Sequence, residues 1–146
     1  MIVKQLDAFH DDRGWLMELY RSDEIGGSVP VMGYLSETRP GVTRGPHMHR
    51  DQTDHFVVFG PGEIEFCIWD DRPDQPSFGN RMVFKASAER PLRVTVPPMV
   101  VHAYRNTGDD PCWLTNFPDA LYAGQGRKSP VDEIRFEDVK DHPFRW

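Results

Sequence analysis

Short runs of apolar, β-branched and aromatic residues recur along the chain, at Trp15–Tyr20, Val29–Leu35, His55–Phe59, Glu63–Trp69, Arg81–Phe84, Leu92–Val96, Val100–Tyr104 and Cys112–Phe117. Runs of this length, punctuated by Gly, Pro, Asn and Asp, predict strands rather than helices. From Glu63 to Phe66 polar and apolar positions alternate, which predicts a strand with one solvated and one buried face, and Pro61-Gly62 turns the chain into it. The stretch Asp70–Pro76 is turn chemistry and reads as a loop within the domain. Only Asp7–Arg13 and the acidic tail after Pro130 leave room for a helix, and neither has sustained 3.6-residue periodicity. So many strands in 146 residues, without repeats or a linker, predict one all-β domain over residues 1–146. An antiparallel barrel or jelly roll with minor helices is expected, because such architectures leave few open sheet edges.

Composition narrows the function. The chain is 38% hydrophobic and 12% aromatic, which excludes disorder, yet its uninterrupted apolar runs stop at four residues, as at Phe56–Phe59. A membrane helix needs roughly 20, so no span is expected. Residues Met1 to Arg13 mix charges early and lack an apolar stretch before a cleavage site; a cytoplasmic address is the expectation. A net charge of -6 without a Lys/Arg cluster argues against nucleic-acid binding, although single arginines can grip a small anion. The two cysteines, Cys67 and Cys112, stand in strand-like runs and are expected as buried thiols.

Three of the six histidines carry chemical meaning through spacing: Gly41-x5-His47-x-His49 and Pro97-x4-His102-x3-Asn106. Residues two apart on a strand share a face, so His47 and His49 point together into a barrel while Met48 faces the other way, and His102 can join them from another strand. These spacings resemble the two cupin motifs. Thr53 or Asp54 occupies the slot of the acidic residue in the first, and Met99 stands where the second has Gly.

A closer resemblance extends from residue 12 to 104. Asp12-Arg13-Gly14-Trp15-Leu16-Met17-Glu18, Gly41-Val42-Thr43-Arg44-Gly45-Pro46-His47, Asp70-Asp71-Arg72 with Pro76-Ser77-Phe78-Gly79, Val96-Pro97-Pro98 and His102-Ala103-Tyr104 resemble, in order, the landmarks of dTDP-4-dehydrorhamnose 3,5-epimerases. That resemblance implies a homodimeric cupin acting on a nucleotide-linked 4-keto-6-deoxy sugar without a metal. Abstraction of a proton beside a ketone needs a base with a pKa near neutrality and a cationic or hydrogen-bonding partner for the enolate oxygen. By resemblance, His47 is the base, His102 and Tyr122 complete the catalytic set, and Arg13, Glu18 and Arg44 contact the nucleotide sugar. His49, Gln52, His55 and Asn116 join them as substrate-binding candidates.

Several positions depart from the family pattern. Asn116 stands where the catalytic acid tyrosine is expected, six residues before Tyr122. Asp54, shortly after Gln52, replaces the enolate-stabilising lysine, leaving His55 as the nearest cation in the sequence. Met32 and Tyr34 occupy two nucleotide-contacting positions, and Glu137 or Asp138 is the candidate to orient the catalytic histidine. An amide cannot reprotonate an enolate, so inversion at a single carbon, C3, or ketoisomerisation is expected rather than double epimerisation. Two alternatives stand beside this reading. One is a metal-dependent cupin with His47, His49, His102 and Asp54 around a divalent transition metal; the other is a non-catalytic nucleotide-sugar-binding cupin.

Overall fold

A computed structural model describes all residues from Met1 to Trp146. Twelve strands form: β1 (Ile2–Gln5), β2 (Ala8–Asp11), β3 (Gly14–Met17), β4 (Tyr34–Thr38), β5 (Thr43–Met48), β6 (Asp54–Pro61), β7 (Ile64–Asp70), β8 (Arg81–Ala86), β9 (Leu92–Val96), β10 (Val100–Asn106), β11 (Cys112–Asn116) and β12 (Ile134–Arg135). They make two five-stranded antiparallel sheets, ordered β1-β9-β6-β11-β4 and β12-β5-β10-β7-β8, and a separate β2-β3 hairpin. The fold is the expected all-β jelly roll. Helix is reduced to one 3₁₀ turn at Gln125–Arg127; Ala8–Asp11 is a strand, and the tail carries only β12. The run at Val29–Leu35 enters a strand only at Tyr34, and Pro30, which has no N–H to give a ladder, stands in the irregular lead-in.

Between the sheets lies the main core, built from alternate residues of facing strands: Phe56 and Val58, Ile64, Phe66 and Ile68, Val94 and Val96, Val100 and Leu114. Strand β7 does not show the expected solvated face. Its outward residues Cys67 and Trp69 are buried with Met48, Val101 and Ala103 in a second cluster, closed by Ile134, Phe136 and Phe144 of the carboxyl-terminal segment. That segment is pinned through Phe136 N–H and Glu137 N–H, which both donate to the Pro46 carbonyl. Local alternation cannot reveal such a cover, because the covering residues lie about seventy positions later in the chain. Both cysteines are free and buried, as expected.

On the other sheet, the outward residues His55, Arg93 and Thr95 are also buried, here beneath the Tyr20–Val31 segment. Arg93 is only 3% exposed and pairs with Glu24 at 3.0 Å.

Because the tail carries residues that reach the cavity described below, its anchoring has a checkable consequence. Phe136→Ala removes an apolar ring from the outer cluster and is expected to cost about 1–2 kcal/mol, scaled down from full burial of an aromatic because Phe136 is half-buried. Denaturant unfolding reads that loss. Hydrogen exchange should show faster exchange of the Phe136, Glu137 and Val139 amides, with the β6 and β9 amides unchanged.

Candidate active site

His47 and His102 are ladder partners on neighbouring strands β5 and β10, so their rings lie side by side, with centroids 4.3 Å apart. His49, just past the end of β5, joins them on the inner face while Met48 enters the outer cluster, as the two-residue spacing predicts. The ligating nitrogens of the three imidazoles lie within 4.8 Å of one another. What sets this register is an extra residue: the β5-β10 ladder slips between His102 and Tyr104, where Gly45 and Pro46 bulge. Gly45 takes φ +83°, and a Cβ there would meet the His102 carbonyl at 2.6 Å and His47 Nδ1 at 3.0 Å. The glycine is therefore required both by its conformation and by the close approach of the ring.

At the centre lies Asp54, 1% exposed on β6 of the opposite sheet. Its Oδ1 accepts from Gln52 Nε2 at 2.8 Å and Asn116 Nδ2 at 2.7 Å, and its Oδ2 lies 3.2 Å from His49 Nε2 and 3.5 Å from His102 Nε2. Burial alone would raise this carboxyl; the hydrogen bond from His49, the nearby imidazoles and Asn116 instead hold it at about 2. His49 is the complement. Burial pulls it down, but Asp54 on one nitrogen and the Asp132 carbonyl on the other raise it to about 9. With an acceptor at each ring nitrogen, His49 is a doubly donating imidazolium at neutral pH. His47 is driven the other way, to about 2, by burial and by His102 and His49 beside it; it is neutral, but well below the near-neutral value expected of the base.

His102, lowered by burial, points Nδ1–H at the Val100 carbonyl and leaves Nε2 buried without a hydrogen-bond partner. Its lone pair and the Asp54 carboxylate thus face each other across 3.5 Å, an arrangement that asks for positive charge nearby.

His47 opens on a cavity of about 460 Å³ that also holds Tyr34, Arg44, Tyr104, Glu133 and Arg135. Tyr34, Glu133 and Arg135 are shared with an adjoining cavity of about 450 Å³, into which His49, Gln52 and Tyr122 face.

The family model described as the polysaccharide biosynthesis C-terminal domain matches residues 9–126. The chain belongs to that family. It is 38% identical over 122 residues to the probable low-salt glycan biosynthesis epimerase Agl13 of Haloferax volcanii, covering 82% of this chain and 78% of that one. With the spore coat polysaccharide biosynthesis protein SpsL of Bacillus subtilis it shares 31% over 145 residues, covering 99% and 93%. Among solved structures, a dTDP sugar isomerase from Desulfovibrio desulfuricans superposes with TM-score 0.80 at 26% identity, over 99% of this chain and 89% of that one. The resemblance to cupin-fold nucleotide-sugar epimerases holds, and the class of enzyme is an isomerase.

Within this family member the candidate residues divide into two groups. His47, His49, His102, Arg44, Gln52 and Asn116 gather at or directly behind the cavities, and Tyr122 stands at the rim, 58% exposed. Arg44 donates to the Glu37 carbonyl at 2.9 Å and makes no ion pair, which leaves its charge available to a ligand. His55 is elsewhere. It follows Asp54 on β6, so its ring takes the other face of the sheet, where Nε2 meets Ser28 Oγ at 2.9 Å and Nδ1 meets Thr95 Oγ1 at 3.1 Å. The cation beside Asp54 is His49, and the expected role for His55 is set aside. Arg13 and Glu18 also lie away from the cavities of their own chain; Arg13 pairs with Asp11 and Glu18 with Arg21.

The tail contributes what sequence spacing missed. Asp132 accepts the N–H groups of Arg50, Asp51 and Gln52 at 2.9 to 3.0 Å, tying the tail to the end of the histidine strand. Glu133 Oε1 then lies 4.0 Å from His47 Nε2; Glu137 lines the same cavity without an ion pair to His47, and Asp138 lies outside it. The carboxylate nearest His47 is therefore Glu133, a position no local motif marks.

Gly45→Ala tests the bulge. A side chain at φ +83° pressed against the His102 carbonyl is expected to destabilise by roughly 1–3 kcal/mol in denaturant unfolding, and to displace the His47 ring in the ¹H–¹⁵N spectrum of the histidines.

Proposed function

We propose that this epimerase-family chain acts on a nucleotide-linked 4-keto-6-deoxy sugar and inverts one carbon, C3, with His47 Nε2 as the base. The observation that carries this reading is geometric: His47 lines the cavity with Glu133 Oε1 4.0 Å from its Nε2, and His49 beside it is held between Asp54 and the Asp132 carbonyl. A neutral imidazole is the form that accepts a proton, and Glu133 at 4.0 Å favours the imidazolium that results. The carbanion left behind delocalises onto the ketone oxygen. His49, with its proton locked by Asp54 and Asp132, supplies positive charge for that oxygen without reorganising. Arg44 and Arg135 offer cationic contacts to a diphosphate at the cavity wall, and Tyr122 at the rim offers an aromatic face to a base. Two relatives, a probable epimerase of glycan biosynthesis and a dTDP sugar isomerase, support epimerisation of a nucleotide-linked sugar.

Replacing His47 by Asn keeps a polar side chain of similar reach but removes the base. Its expected outcome is loss of solvent-deuterium incorporation beside the ketone by at least about 100-fold, with dTDP affinity changed little. Undiminished incorporation, read by NMR in deuterated water, assigns the base elsewhere.

A second reading is favoured by one feature, the unpaired lone pair of buried His102 Nε2 facing Asp54 and the other imidazoles. Three imidazoles and a carboxylate are a donor set suited to a divalent transition metal, so the residues fit such an ion, with His47, His49, His102 and Asp54 to hold it. Bound there, a metal would supply Lewis-acid polarisation of the ketone. In the primary reading the His49 proton occupies that electrostatic role. Elemental analysis of unchelated protein, with activity followed through chelation, separates them. Full activity with less than about a tenth of an equivalent of metal supports the proton; stoichiometric metal whose removal abolishes activity supports the ion.

The same reading includes a homodimer in the cytoplasm. Two unpaired buried thiols are compatible with a reducing compartment, and no helix is long and apolar enough to cross a membrane. The β2-β3 hairpin stands apart from both sheets with Phe9, Trp15 and Leu16 each more than 60% exposed. Seated on a second copy, it would bury these side chains and bring Arg13 and Glu18 toward a ligand they cannot reach in their own chain. Light scattering at micromolar concentration is expected to give twice the chain mass, falling to the monomer for a Trp15→Ser, Leu16→Ser double variant.

A further inference from the structure

An inversion needs a donor on the face opposite the base, and the residue at the expected position, Asn116, has no proton of suitable acidity to give. Three tyrosines line the two cavities. Tyr104 is 4% exposed, part of the main core, and stands on β10, beside the strand of His47 in the same sheet. Tyr122 is at the rim, and its backbone N–H, not its phenol, is what the structure anchors, to Met32. Tyr34 differs from both. It lies on β4, the edge strand of the opposite sheet, and shares the 460 Å³ cavity with His47.

We propose that Tyr34 is the proton donor for this reaction, facing His47 from the other sheet across the cavity. This rests on the epimerase reading above. The phenol oxygen accepts one hydrogen bond, from Asn116 Nδ2 at 3.1 Å, and the same amide nitrogen donates to Asp54 Oδ1 at 2.7 Å. Asn116 Oδ1 is engaged by the His55 N–H at 2.9 Å, so the amide is fixed in the orientation that presents its N–H to the phenol. The Tyr34 hydroxyl proton therefore has no acceptor within the protein and is free to point into the cavity. The asparagine at the family's tyrosine position thus orients, from the adjacent strand, an acid that has moved to β4. Burial, together with Asp54 and Glu133, keeps the phenol protonated above its ordinary range, as a donor must be.

The proton balance follows. His47 Nε2 takes the hydrogen of the carbon beside the ketone from one face, and the electron pair moves into the enolate. Tyr34 O–H delivers a proton to that carbon from the opposite face, the ketone re-forms, and a phenolate and an imidazolium remain. The imidazolium releases its proton to solvent and the phenolate takes one up, so nothing is consumed.

Tyr34→Phe removes one oxygen from a side chain that is 43% exposed, a change the fold tolerates readily. In deuterated water with a dTDP-linked 4-keto-6-deoxy sugar, the variant should still wash deuterium into the substrate with retained configuration, because His47 can remove and return a proton on its own face. Formation of the inverted sugar should fall by at least about 100-fold at saturating substrate. A side chain with only a structural role would lower exchange and inversion together. Inversion at the wild-type rate, or parallel loss of exchange and inversion, overturns the assignment. Wild-type protein that neither exchanges nor inverts such a sugar overturns the epimerase reading, and the donor with it.

Discussion

A carboxylate with 1% exposure, set between two sheets, is the constraint around which this molecule is organised. An ionised Asp54 without compensation would cost several kcal/mol, so its oxygens need donors or a cation, and His102 Nε2 at 3.5 Å is the neighbour that supplies neither. Gln52 and Asn116 serve Oδ1, and His49 serves Oδ2 as an imidazolium. The charge on His49 in turn helps keep His47 neutral. Asp54 thus holds His49 charged, while burial, with His102 and His49 beside it, keeps His47 neutral; the two ring centroids are 5.9 Å apart.

That arrangement holds only if the strands stay in register, and two devices outside the core enforce it. The Gly45-Pro46 bulge places His47 opposite His102 rather than one residue away, where its ring would face outward. The carboxyl-terminal segment acts from the far side. Phe136 and Phe144 seal the outer face of the β5-β10-β7 sheet, and the residues leading into them, Asp132 and Glu133, cap the end of the histidine strand and reach His47. Stability of the outer cluster and geometry of the site are therefore coupled through the same few tail residues.

Where this chain departs from the family pattern, it does so consistently. A buried acid at position 54 inverts the local charge relative to a lysine, and His49, at the end of β5 on the facing sheet, carries the lost positive charge. The amide at 116 then serves as a link between Asp54 and the Tyr34 phenol rather than as an acid. Substitutions that each look like a loss in isolation form one hydrogen-bonded set when seen together.

The sequence by itself determined the all-β class, most strand positions, the two buried thiols, and the convergence of His47, His49 and His102. All of these follow from local rules, namely turn residues between short apolar runs and the two-residue period of a strand. It also carried the family, through landmarks spread over much of the chain. Only the tertiary structure decided between Asp54 and His55. Neighbours on one strand must face opposite ways, and which one faces inward depends on the register of β6 against β9 and β11. Nor could the sequence show Glu133 beside His47 or Tyr34 across from it, since these pairs join residues brought together by strand order and by a tail that crosses the molecule. Contacts between elements distant in sequence are set by packing, and no local pattern records them.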